Sequence, residues 1–232
     1  MTHPLDNPVY ASLTGPHATL ARRSGYAVRY PAAITPFCGL PAEPSREDWA
    51  DLAGLFAPGE AALFPALGGT PPAGWTVLGG GNGVQLVADT IEAIADPEAV
   101  PLGPDDAPEM LALAERARPG PFTRRTVELG GYLGIRRDGE LVAMAGERFR
   151  PPGFTEISAV CTDAAWRGHG FGSRLTLAVA AAIQARGETP FLHAIATNTT
   201  AIRLYKSLGF SHRRDILFQQ IRSPLPGAAG PA

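Results

Sequence analysis

The chain has 232 residues, 45% of them hydrophobic, which suits one large or two small globular domains with a substantial core. Its 27 glycines and 23 prolines follow no period and predict many turns rather than a collagen-like chain, and the longest apolar run, residues 177–183, is far too short to span a bilayer. The formal net charge is −2, and although residues 99–232 are cationic and residues 1–98 acidic, the chain lacks the dense basic stripe of a nucleic-acid-binding protein.

Residues 1–98 give few signals, and we predict them to form an N-terminal domain. The first six residues do not resemble a secretory signal, so we expect a cytoplasmic protein with no membrane partner. Residues 46–56 have the periodicity of a helix, with Ser45 placed to cap it. Two apolar runs flank the glycine-rich residues 79–83, a pattern that predicts a hairpin with its turn at the glycines.

Residues 99–222 show a clearer alternation of strands and helices. The pattern predicts strands over 100–102, 132–136, 141–149, 155–162 and 190–197, and helices over 108–118 and from 171 onwards. Asp138-Gly139 marks a hairpin turn between the second and third of these strands. A right-handed crossover makes 190–197 parallel to 155–162. We therefore predict a mixed α/β sheet, followed by a flexible Pro/Gly/Ala tail at 223–232.

Three glycines at alternate positions, Gly168, Gly170 and Gly172, join the strand at 155–162 to the following helix. Glycines let the backbone approach a ligand closely, and amides at a helix N-terminus bind anions, so this loop is expected to hold phosphate. A P-loop is excluded because no Gly-Lys-Ser/Thr follows, and the spacing also differs from the G-x-G-x-x-G of dinucleotide-binding proteins.

The loop instead fits Arg-x-x-Gly-x-Gly, met by Arg167, Gly170 and Gly172, and a second ordered motif, Asn-x-x-Ala-x-x-x-Tyr-x-x-x-Gly-Phe, runs from Asn198 to Phe210. With both motifs, residues 99–222 resemble the GNAT superfamily of acyl-CoA-dependent N-acyltransferases, closest to the subgroup that includes the C-terminal domain of glycine N-acyltransferases. The resemblance implies a central mixed sheet splayed between two parallel strands. Residues 1–98 would then be a degenerate half of the same kind, or a lid or dimerisation domain that makes a homodimer.

The resemblance also implies acetyl-CoA as the co-substrate and no metal. Backbone groups of the strand would pair with the pantetheine arm, and the loop would wrap the diphosphate, with Arg174 and Lys206 near enough to meet its charge. The cofactor-binding residues implied are Val160, Cys161, Thr162, Arg167, Gly168, His169, Gly170, Phe171, Gly172, Ser173, Asn198 and Tyr205. Cys161 lies within a strand, where a free thiol packs like a small apolar residue, and we do not expect it to act as a nucleophile.

For catalysis, the resemblance implies that Tyr205 donates a proton to the departing thiolate. His193 stands where related acetyltransferases carry a general-base glutamate, and it is either that base or a packed strand histidine. Glu147 and Glu156 on neighbouring strands are rival bases or binding groups for a cationic substrate. We expect transfer of an acetyl group to a primary amine of a small molecule, amino acid or peptide N-terminus. The alternative is a regulatory module that binds acyl-CoA without chemistry.

Overall fold

The computed structural model describes residues 3–65 and 70–225, which form five α-helices, eleven β-strands and several short 3₁₀ turns. The helices are α1 (Pro8–Leu13), α2 (Arg46–Gly54), α3 (Ala107–Ala117), α4 (Phe171–Ala185) and α5 (Thr199–Ser207). The strands are β1 (Arg22–Ser24), β2 (Ala27–Arg29), β3 (Cys38–Gly39), β4 (Ala61–Pro65), β5 (Thr76–Ala88), β6 (Val100–Leu102), β7 (Tyr132–Arg137), β8 (Glu140–Glu147), β9 (Phe154–Thr162), β10 (Thr189–Ile195) and β11 (Phe210–Arg222).

The main sheet has eight strands in the order β4-β11-β5-β10-β9-β8-β7-β6, and a small antiparallel sheet contains β1, β2 and β3. Within the main sheet β9 and β10 are parallel, while the other neighbouring pairs are antiparallel. The mixed α/β fold and its parallel pair are therefore confirmed. Strands β4 and β5 precede residue 99, so this sheet takes strands from both sides of the predicted domain boundary.

Local sequence signals explain most of these elements. Ser45 caps α2 in a reciprocal capping box with Asp48, as expected for this spacing. The turn between β7 and β8 has positive φ at both Asp138 and Gly139, the geometry that suits a two-residue hairpin. Helix α3 ends at Arg118 in the left-handed region, directly before a proline that cannot continue it.

The hairpin predicted around residues 79–83 is wrong, because Thr76–Ala88 is one continuous strand. It lies between β10 and β11 and pairs with both. Gly80 and Gly83 are explained by close approach to neighbouring strands rather than by a turn. A Cβ on Gly80 would stand 2.3 Å from the Phe218 carbonyl oxygen, and one on Gly83 would stand 2.9 Å from that of Ala194.

The two faces of β10 bury different parts of the chain. Leu192 and Ala194 pack in a cluster with side chains of α4. Phe191, on the opposite face by strand alternation, packs with N-terminal side chains such as Leu5 and Tyr30. The N-terminal segment therefore covers the face of the sheet that α4 leaves open.

Two predictions from the sequence concern the C-terminal tail and membrane-spanning helices. Of the tail predicted at 223–232, Ser223 is buried and its hydroxyl donates to the Ala57 carbonyl at 2.8 Å. Residues 226–232 lie outside the described residues. Across the described ranges, every helix is too short or too polar to cross a bilayer.

Candidate active site

The two parallel strands separate soon after they begin to pair. Strands β9 and β10 are in register only from Phe154 with Thr189 to Glu156 with Phe191. Beyond that point β9 continues to Thr162 and β10 to Ile195 without pairing to each other. The divergence leaves backbone groups on the facing edges of both strands available to an inserted ligand, as in strand addition.

A bulge lies in β9 within this gap. The register between β8 and β9 shifts between Met144 and Gly146, and Ala159 has a φ of 53°, a left-handed conformation that is rare for alanine. The extra residue turns the end of β9 away from β10. Cys161 follows the bulge, and burial raises the pKa of its thiol to about 12. The predicted packing of Cys161 within the sheet is confirmed by its burial.

The glycine loop and the start of α4 form a candidate anion site built from backbone groups. Gly168 and Gly170 have φ of 85° and 76°, and side chains added to them would point into open space. Gly170 precedes the first residue of α4, and no side chain caps this helix end. The amides of Phe171, Gly172 and Ser173 are therefore available, together with the positive end of the helix dipole, to hold an anion.

Charged side chains around the loop divide into two groups. Arg167 and Lys206 are exposed and have no side-chain ion pair within the described part of the chain. Arg174, in contrast, is bound by Asp96 at 2.8 Å and by Glu98, and these carboxylates raise its pKa. His169 packs its ring on Phe171 with 5.7 Å between centroids, and its Nδ1 lies 3.1 Å from the Trp166 carbonyl oxygen. Arg174 therefore braces the helix against residues 96–98 instead of meeting phosphate.

Helix α5 carries the second motif. The Asn198 side chain accepts a hydrogen bond from the Ala201 amide at 3.1 Å, so it caps the helix. Tyr205 is buried against Phe210, and burial raises the pKa of its hydroxyl to about 12. Its hydroxyl is therefore protonated at neutral pH and able to donate. Tyr205 packs with Leu192 and Ala194, on the face of β10 opposite to His193.

His193 lies on β10 two residues beyond the last pair with β9, and its side chain is 4% exposed. Its Nδ1 lies 2.6 Å from Oε1 of Glu156, and its Nε2 lies 3.0 Å from the side-chain nitrogen of Gln85. Glu156 is also held by Arg148 through two bonds of 2.8 and 2.6 Å. Burial opposes ionisation of Glu156, but the contacts with Arg148 and His193 together outweigh it and lower the carboxyl pKa.

The orientation of Gln85 fixes the protonation of His193. Its amide nitrogen donates to the Leu5 carbonyl at 2.9 Å, and its oxygen accepts from Arg213 at 2.8 Å. Reversing the Gln85 amide would place its oxygen against the Leu5 carbonyl oxygen and its N–H groups against those of Arg213. Because the Gln85 nitrogen is a donor, Nε2 of His193 must be unprotonated, and Nδ1 carries the hydrogen that is donated to Glu156.

Both carboxylates that were predicted as rival bases or substrate ligands have internal cationic partners. Glu156 is fully buried between Arg148 and His193. Glu147 is 5% exposed and accepts from Arg186 at 2.9 Å. A substrate ammonium at either carboxylate would have to displace an arginine or enter the core.

A cavity of about 300 Å³ opens on the His193 side of the sheet. It is bounded by the N-terminal segment, by β5 and β10, and by the middle of β11; its lining includes Leu5, Asp6, Asn82, Gln85, His193 and Arg214. The structure thus brings His193 together with residues that the sequence did not predict for the site. The signal available for Gln85 was a polar residue inside the apolar run of residues 84–87. The contribution of residues 5 and 6 had no local signal.

Metal ligation has no candidate in the described ranges, where His, Cys, Asp and Glu side chains nowhere cluster in groups of three or more that could hold an ion.

Comparison with known proteins agrees with this geometry. Residues 132–219 match the family of FR47-like proteins. The structure resembles a protein from Novosphingobium aromaticivorans described as a GNAT-family acetyltransferase, with 41% identity, a TM-score of 0.86, and coverage of 95% of this chain and 98% of that one. A GCN5-related N-acetyltransferase from Kribbella flavida shares the fold at 18% identity and a TM-score of 0.60, over 93% and 94% of the two chains. The search of curated proteins gave no match.

The chain therefore belongs to the GNAT family of acetyltransferases. This confirms the superfamily predicted from the two motifs. The narrower likeness to glycine N-acyltransferases has no support in these matches and stays a prediction.

Proposed function

We propose that the protein transfers an acetyl group from acetyl-CoA to a primary amine by direct attack, with His193 as general base and Tyr205 as general acid. The observation that carries this proposal is the position of His193, an unprotonated imidazole that borders both the divergence of β9 and β10 and the cavity. Acetyl-CoA, when bound, supplies the activated thioester.

The residues present fit this co-substrate. Open space over Gly168 and Gly170 and the uncapped amides of α4 suit a diphosphate. The unpaired edges of β9 and β10 suit an extended arm that bears amide groups. Val160 and Thr162 on β9, and Asn198 at the start of α5, border the same region. The family's use of acetyl-CoA supports this choice of donor.

His193 would remove the proton that an attacking amine must lose. Glu156 orients the ring through Nδ1, and Arg148 balances the carboxylate charge, so that Glu156 stays ionised and Nε2 stays a proton acceptor. Because Nε2 now accepts from Gln85, proton transfer requires this bond to be exchanged for one from the amine or from an intervening water. Tyr205, protonated at neutral pH, would donate to the leaving thiolate.

The test is an acetyl-CoA thiol-release assay with a panel of primary amines. His193→Gln should lower kcat by roughly 10²- to 10⁴-fold with CoA affinity unchanged, as expected for loss of a general base. The matched control is His212→Gln, a half-exposed histidine on β11 that bonds Asp215, and it should keep wild-type activity. If no amine supports thiol release although CoA binds, the protein is a binding module and the proposal is wrong.

A second variant tests the acid. Tyr205→Phe should slow turnover about 10-fold or more without weakening CoA binding comparably, since only the proton donor is removed. Tyr132→Phe is the matched control, because the buried Tyr132 hydroxyl has no hydrogen-bond partner within the described part of the chain. Equal activity of both variants would exclude Tyr205 as the acid.

A further inference from the structure

The size and lining of the cavity beside His193 indicate which kind of acceptor can bind there. Its volume of about 300 Å³ suits a small molecule. The N-terminal segment closes it through Leu5, Asp6 and Pro8, and Ile216 and Phe218 add apolar surface from β11. A small amine with an apolar body therefore fits this space better than a folded protein surface.

Strand alternation decides which charges of β11 face the cavity. Arg214 pairs in register with Gln85, which itself faces His193, so Arg214 lies on the cavity side. A register shift at Arg213 places that side chain on the same side, since both arginines contact the same oxygen of Asp6. Asp215 follows, bonds His212 at 2.8 Å and also lines the cavity.

The charged residues in the cavity lining are then Arg214, Asp6 and Asp215, and Arg213 contacts Asp6. Asp6 accepts from Arg213 at 2.7 Å and from Arg214 at 3.2 Å, and these contacts, against the cost of burial, lower its pKa. Arg213 bonds both Gln85 and Asp6, whereas Arg214 bonds Asp6 alone among the described residues, so Arg214 keeps more N–H groups for a ligand.

Arg214 has capacity for a further anion. Its side chain is 47% exposed, and only one of its five N–H groups bonds another described residue, through Nη1. Guanidinium groups bind carboxylates through two parallel hydrogen bonds. His193, Gln85 and Arg214 occupy paired positions on three adjacent strands, so the backbones of His193 and Arg214 are about 10 Å apart, a span that an arginine side chain can bridge.

From this geometry we propose that the acceptor is an amino acid with an apolar side chain, whose carboxylate is bound by Arg214 while its amine reaches His193. This inference rests on the proposed acetyl transfer. The apolar side chain lies against Leu5, Ile216 and Phe218, which makes the N-terminal segment a part of the acceptor site.

The experiment compares leucine with isopentylamine, which has the same apolar body and amine but no carboxylate. Leucine should have a kcat/KM at least about 10-fold higher. Arg214→Gln should raise KM for leucine roughly 10- to 100-fold, the loss expected when a charged hydrogen-bond pair is removed, and leave isopentylamine unaffected. Arg214→Lys, which keeps the charge but loses the bidentate geometry, should restore part of the affinity. Arg46→Gln, an exposed arginine at the start of α2, controls for the change in net charge and should behave as wild type.

The possible results separate the two proposals. Equal use of leucine and isopentylamine, or equal effects of Arg214→Gln on both, overturns carboxylate recognition but keeps acetyl transfer. If no amine is acetylated, calorimetry of leucine against the CoA-loaded protein still decides, because binding that Arg214→Gln weakens at least 10-fold supports the carboxylate site without catalysis. Absence of leucine binding in that measurement overturns it.

Discussion

The glycine loop and the cavity beside His193 are built in different ways. The loop consists of consecutive residues, and its binding groups are backbone amides at the start of α4. The cavity collects side chains from the N-terminal segment and from β5, β10 and β11, far apart in sequence. The loop should therefore depend on glycine conformation, and the cavity on side-chain chemistry and long-range pairing. Variants of each kind can break or sharpen this contrast.

The largest expected effect comes from Gly170→Val. A β-branched residue at a φ of 76° is strained, and its side chain would fill the space over the anion site. We expect CoA affinity to fall by roughly 100-fold or more, the equivalent of two lost hydrogen bonds to a charged group. Isothermal calorimetry with CoA measures this loss.

The matched control lies at the other end of the same helix. Gly187 also has a φ of 76° and open space around it, so Gly187→Val introduces the same backbone strain away from the loop. Both variants should lose about 1–2 kcal/mol of unfolding free energy, but only Gly170→Val should lose CoA binding. Equal CoA affinities in the two variants would contradict a backbone anion site at residue 170.

Glu156→Gln should produce the largest loss of stability in the cavity region. The substitution leaves the buried Arg148 without its counter-charge, which should lower the free energy of unfolding by about 3 kcal/mol or more. Glu147→Gln is the matched change. Because its partner Arg186 is partly exposed, this variant should lose only about 1 kcal/mol of unfolding free energy. Urea unfolding at pH 7 compares the two variants, and equal losses would show that burial of the Arg148 pair is unimportant.

The same carboxylate predicts a pH dependence. The folded-state pKa of Glu156 lies below its unfolded value of about 4.5, so its stabilisation is present above that pH and is lost as the pH falls towards the folded value. The difference in unfolding free energy between wild type and Glu156→Gln should therefore shrink between pH 5 and pH 3. A constant difference across this range would argue against a stabilising ionised Glu156.

The smallest expected effect concerns the strand that supports the cavity. Gly80→Ala places a Cβ 2.3 Å from the Phe218 carbonyl and should cost about 2 kcal/mol by forcing β5 and β11 apart. Its neighbour Gly81 has no atom within 4 Å of an added Cβ, so Gly81→Ala should change stability by less than about 0.5 kcal/mol. Thermal unfolding of the two variants tests whether the glycines of β5 serve strand packing, and similar melting temperatures would contradict this.

Local sequence patterns were sufficient to predict elements whose conformation is set by a few consecutive residues. The β7–β8 hairpin follows from Asp138-Gly139, helix α2 from Ser45, and the loop before α4 from the glycine spacing, because each depends on the conformation of a few consecutive residues. The prediction failed for residues 79–83, since the same glycines can form a turn or permit close strand packing. Only the neighbouring strands decide between these outcomes.

The sequence alone therefore determined the family, the splayed parallel pair and the glycine loop before α4. The family and the splay rest on the resemblance of two ordered motifs, and the parallel pairing rests on chain handedness. Tertiary structure decided that β5 lies between β10 and β11 and that Leu5 and Asp6 close the cavity. It also decided that Arg148 and Gln85 set the charge and tautomer of the groups around His193. These contacts join residues up to 208 positions apart, and their formation depends on burial and hydrogen-bond satisfaction across the whole sheet, which no local pattern encodes.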